Sequence, residues 1–176
     1  MTDETTHAAE PTGALLEVED LPFAPPLGMQ FGDRKFLESE ALEGLMGEEI
    51  AEHFVRRQWI AELFNEGDIG IVWKKTGGKH LGKCSLANPI ARHYDAPMFF
   101  IWLAADHLRD MAANRGQLKA LIHHELLHIG FDDESGSPLI VRHDAEVFVE
   151  ELRDHAIWRG DLAPLVATCV KLGAAA

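Results

Sequence analysis

The chain has 176 residues, 47% hydrophobic and 26% charged, a balance that suits one folded domain and argues against a wholly disordered protein. Sixteen Lys and Arg against 29 Asp and Glu leave a formal charge of −13, which repels phosphate backbones and disfavours sequence-independent nucleic-acid binding. Two cysteines, Cys84 and Cys169, make no disulfide framework. The opening MTDETTHAAE lacks an export signal, and no apolar window approaches the roughly 20 residues that cross a bilayer. A cytoplasmic protein without membrane or nucleic-acid partners is expected; the composition does not set its oligomeric state.

Residues 1–28, with Pro22, Pro25 and Pro26 clustered and no sustained periodicity, predict a mobile acidic leader, leaving 29–176 as the domain. From Phe36 to Asn65 two helical stretches are expected, broken near Gly47. The second carries Ile50, Phe54, Trp59 and Leu63 on one broad apolar face. Asp68 to Trp73, DIGIVW, is short and β-branched and runs into a Gly77-Gly78 turn signal. His80 to Leu86 is a candidate return strand, and Pro97 to Ala104, PMFFIWLA, is an apolar run of strand length, so a small sheet of about three strands results.

The period then becomes helical. Leu118, Ile122, Leu126 and Ile129 form one stripe from Arg115 to Ile129, with Gly130 as the stop. A turn-rich DDESGSP segment, 132–138, precedes a helix expected from Asp144 to Trp158, capped by Asp144, and a last one from Asp161 to Leu172. Strands followed by helices make the class α+β. Trp59, Trp73, Trp102 and Trp158 are expected to pack in the core or at its rim.

His124-Glu125-Leu126-Leu127-His128 is an HExxH motif on the helix, the context that the motif requires. Four residues advance a helix by about 400°, so the two imidazoles share a face and can share an ion. Glu125 lies about 100° round, placed to act as general base on a water activated by that ion. His123, about 100° from His124 in the opposite direction, reads as a surface or interface residue. A hydrolytic zinc site wants three protein ligands and one open position, so a third must come from elsewhere. His143, beyond a segment long enough to reverse the chain, is the first choice, and Glu146 is the alternative ligand or a support for one. His143, Glu146, Glu150 and Asp154 would equally make a solvated helix face.

At these residues the chain resembles the phage metallopeptidase family, in which an HExxH helix is followed by an HD-x-E-type motif, here His143 to Glu146. The Gly82-Lys83 turn region, the apolar MFFIW and the approach ALIHHELLHIG are also similar, over about residues 60–160. The resemblance implies a zincin-like fold, a small sheet packed on the HExxH helix, with zinc held by His124, His128 and His143 and with Glu125 as base. The chain is similar as well to minimal intracellular zinc proteases that act on DNA-linked proteins, although their nucleic-acid modules have no counterpart here. The longer HExxHxxGxxH pattern is absent, because Phe131 and Glu134 stand where it needs Gly and His. HELLHIGFDDE is also similar to the HGxLHLxGYDH motif of a metal-dependent endoribonuclease family, but Glu125 replaces its Gly and Asp133 stands near its last His.

The expected function is zinc-dependent hydrolysis of peptide bonds in a protein or peptide substrate, which would lie along an exposed edge offered by PMFFIWLA or DIGIVW. Tyr94, Arg142 and His155 are oxyanion-donor candidates, none of them assigned. The competing class is a zinc-stabilised, non-catalytic binding module, in which a fourth side chain, Glu146 or Asp144, closes the shell.

Overall fold

In a computed structural model, residues 24–143 and positions 154, 155, 158 and 163 are described. Most of the expected leader and of the two expected C-terminal helices, with Asp144, Glu146 and Cys169, lies outside the described residues. Among the described residues, no helix is long and apolar enough to cross a membrane.

The elements make a mixed α+β architecture: β1 (Phe36–Glu38), α1 (Glu40–His53), α2 (Gln58–Asn65), β2 (Ile69–Lys74), β3 (Gly82–Leu86), α3 (Pro89–His93), β4 (Phe99–Ala104), α4 (Ala105–Asp110), α5 (Arg115–Leu127), β5 (Ile129–Phe131) and β6 (Pro138–Ile140). Four strands, not three, form the main sheet in the order β1-β2-β4-β3, and β5 and β6 form a separate hairpin. β2 and β4 run parallel in the centre, while β1 and β3 flank them antiparallel. DIGIVW and PMFFIWLA are therefore interior strands, and the edge beside α5 belongs to β3.

The sheet buries one face. Ile69, Ile71, Trp73, Cys84, Phe99, Ile101 and Leu103 point inward, and their neighbours Val72, Lys74, Phe100 and Trp102 are only half-buried. Phe100 and Trp102 stand on the outer face, where Lys74 Nζ lies 3.9 Å over the Trp102 ring, so β4 reads as a continuous apolar run although its burial alternates. Leu42, Leu45, Met46 and Ile50 of α1 and Leu118, Ile122 and Leu126 of α5 close the same core. Each such side chain contributes about 1.5–3 kcal/mol on burial, which fixes α5 against α1 and the sheet.

Four local expectations are corrected. The helix expected from Phe36 begins at Glu40, where the Ser39 side chain accepts from Leu42 N, and Phe36–Glu38 are strand. Gly47 does not break it: α1 continues to His53, because a bare Cα at 47 lets the Phe64 ring approach to 3.3 Å of where a Cβ would sit. The break falls instead at residues 54–57. Gly130, finally, is not the stop for α5; His128 is its C-cap, Ile129 already belongs to β5, and a side chain on Gly130 would meet Val141 at 2.5 Å. Gly82 and Lys83 likewise lie in β3 and not in a turn.

His123 is also corrected from the surface to the core. It is fully buried, and its Nδ1 lies 2.8 Å from Oε1 of Glu49, itself buried on α1. Burial opposes ionisation of Glu49, but hydrogen bonds from His123 and His155, with the charges of His155 and His53, more than offset it and hold the carboxyl at about 2.

Candidate metal centre

α5 is positioned at both ends by its own sequence. Asn114 Oδ1 accepts from Gln117 N at 2.9 Å and Gln117 Oε1 accepts from Asn114 N at 3.1 Å, a reciprocal cap that starts the helix at Arg115. At the other end the chain leaves α5 into the β5–β6 hairpin. In its turn the Asp132 carboxylate accepts from Ser135 N at 2.8 Å and Gly136 takes φ 63°. The return strand comes back along the helix terminus, where Val141 N donates to His128 O at 2.8 Å. Two residues later the chain reaches His143.

That path brings three imidazoles together. His143 Nε2 lies 3.0 Å from His124 Nε2 and 3.0 Å from His128 Nε2, and the ring centroids are 4.6 to 5.1 Å apart. The His128 tautomer is fixed from behind: a carbonyl can only accept, so Nδ1, 2.7 Å from Val141 O, carries the proton and Nε2 presents its lone pair to the cluster. One proton on His143 Nε2 cannot serve both other nitrogens, whereas a cation can serve all three. At Zn–N bonds of about 2.0–2.1 Å, ligand nitrogens at roughly right-angled to tetrahedral positions stand about 3.0–3.4 Å apart, and the observed spacing fits. His124, His128 and His143 are thus a group that could hold a metal ion.

Glu125 sits beside them at 3% exposure, on the wall of a cleft that His80, Gly82, His124, His143 and Trp158 also line. A Cβ on Gly82 would lie 2.8 Å from Glu125 Oε1, so a side chain there would push the carboxylate out of its place beside edge strand β3. Tyr94, Arg142 and His155 do not line the cleft; Tyr94 is 77% exposed at the end of α3, and His155 Nε2 lies 2.9 Å from Glu49 Oε1. Trp158, which the sequence suggests only as a packing residue, lines the opening.

Cys84, on β3, faces the core below this cleft. Burial, with the nearby charge of Glu125, pushes its thiol up to about 12. At pH 8 a thiolate fraction of about one in ten thousand follows, so native protein should resist alkylation by iodoacetamide at Cys84 while guanidinium-unfolded protein reacts. Peptide mass mapping reads the difference; rapid labelling of Cys84 in the native protein would contradict the burial.

A family model described as "Putative phage metallopeptidase" matches residues 35–169, from β1 through the HExxH helix and His143, and the chain belongs to that family. No curated protein and no solved structure matches the chain.

Proposed function

We propose that the protein is a zinc-dependent peptidase of zincin-like arrangement, with the ion held by His124, His128 and His143 and with Glu125 as general base. The observation that carries this reading is the convergence of three imidazole nitrogens, 3.0 Å from one another through His143, beside a buried carboxylate that belongs to the same helical turn. The arrangement of an HExxH helix beneath a sheet whose antiparallel edge strand, β3, borders the cleft supports it.

A bound divalent ion supplies Lewis acidity, which polarises a peptide carbonyl and makes water acidic enough to lose a proton near neutral pH. Glu125 accepts that proton at its carboxylate as the new C–O bond forms and returns it to the nitrogen as the C–N bond then breaks and the amine leaves. Burial of Glu125 under Gly82 keeps bulk water from competing for the carboxylate, and the short reach from β3 to Glu125 would bring an extended substrate within range. β3 has no strand hydrogen-bonded to its outer side among the described residues, so its backbone can pair with a substrate chain by strand addition.

The test uses an unfolded protein substrate, zinc-loaded enzyme and mass spectrometry of new peptide termini. Cleavage that disappears with a chelator and returns with zinc is expected. Absence of cleavage by protein shown to carry the ion would favour a zinc-stabilised binding module.

A further inference from the structure

On the side of α5 turned away from the cleft, three imidazole nitrogens converge on one buried carboxylate oxygen. Around Glu49 Oε1 lie His123 Nδ1 at 2.8 Å, His155 Nε2 at 2.9 Å and His53 Nε2 at 3.7 Å. Ring centroids are 4.8 Å apart for His123–His155, 5.0 Å for His53–His155 and 5.6 Å for His53–His123, close to the spacings of the cleft triad. The residues come from α1, from α5 and from position 155, far apart in the chain. We propose that Glu49, His123 and His155 bind a second divalent transition-metal ion whose role is structural.

The far nitrogens distinguish an ion from a knot of neutral imidazoles. Both His53 Nδ1 and His123 Nε2 face Asp154 Oδ2, each at 3.8 Å. If neutral imidazoles donated to Glu49, their far nitrogens would be lone pairs aimed at a carboxylate, acceptor against acceptor. If a cation takes the near lone pairs, the far nitrogen of His123 carries a proton and Asp154 becomes the carboxylate that orients a metal-bound ring, a recurring arrangement behind histidine ligands. Among the described residues, His123 Nε2 and Glu49 Oε2 make no hydrogen bond although both are buried, and Lys119 Nζ stays 3.7 Å from Glu49 Oε2. A divalent charge also balances the two carboxylates. Nitrogen and carboxylate donors without thiolate suit zinc-like ions, and the full burial of Glu49 and His123 suits a structural role. Such an ion would brace α5 directly behind His124 and tie the segment bearing His155 to α1.

The experiment is elemental analysis of zinc-equilibrated, desalted protein, with far-ultraviolet circular dichroism to confirm folding. Wild type should carry two zinc ions per chain. His143→Ala, which damages the cleft triad, should retain one, and its melting temperature should still fall on chelation. His155→Ala should also retain one, in the cleft. One ion in wild type with none in folded His143→Ala, or two ions surviving in His155→Ala, would overturn the proposal. Should His155→Ala fail to fold, the counts for wild type and His143→Ala still decide, and they do so whether or not the cleft hydrolyses peptides.

Discussion

Replacing Glu125 with Gln should lower the rate of peptide hydrolysis by about 10²–10⁴-fold while zinc content stays at the wild-type value, since general-base assistance is worth roughly that much. The substitution keeps volume and removes only the ability to take a proton. At 3% exposure, under Gly82, the amide has the same room as the carboxylate, so the melting temperature should not fall by more than a few degrees. Steady-state kinetics on the unfolded substrate and metal analysis of the same sample check both halves. Unchanged hydrolysis would remove Glu125 from the role of base.

The second large effect concerns His143. Its Nε2 is 3.0 Å from those of both helix histidines, so His143→Ala should weaken zinc binding at the cleft by more than the roughly 10–100-fold lost when a mere supporting partner of a ligand is removed. Activity at limiting zinc should fall in parallel and recover partly in excess zinc, because His124 and His128 still offer two nitrogens. Competition against a chromophoric chelator measures the affinity. An affinity equal to wild type would move the third ligand to another residue, Glu146 being the nearest choice in sequence.

How far the sequence alone reaches differs from element to element. α5 was legible to its first residue because its apolar stripe has the helical period; the Asn114–Gln117 cap that fixes that start was a signal left unused. The chemistry at His124 and His128 follows from the four-residue spacing. β1 was not legible: three residues, Phe36–Glu38, carry no period, and their strand state comes from pairing with Val72–Lys74. Gly47 looks like a breaker in isolation but is held inside α1 by the Phe64 ring, a tertiary contact overriding propensity. The burial of His123 was hidden because wheel arithmetic gives its direction and not what lies there; Glu49 and His53, four residues apart on α1, were the available signal. Strand order has no local signature either, so the sheet edge at the cleft proved to be the modest GKCSL of β3, while the two most apolar strands went to the centre.

The most direct measurement of the three-histidine centre is anomalous scattering at the zinc absorption edge from crystals grown with zinc. A peak about 2.0–2.1 Å from the Nε2 atoms of His124, His128 and His143 together is the predicted result. An ordered cleft without such a peak, or an ion bound with the His143 ring turned away from it, would contradict the account.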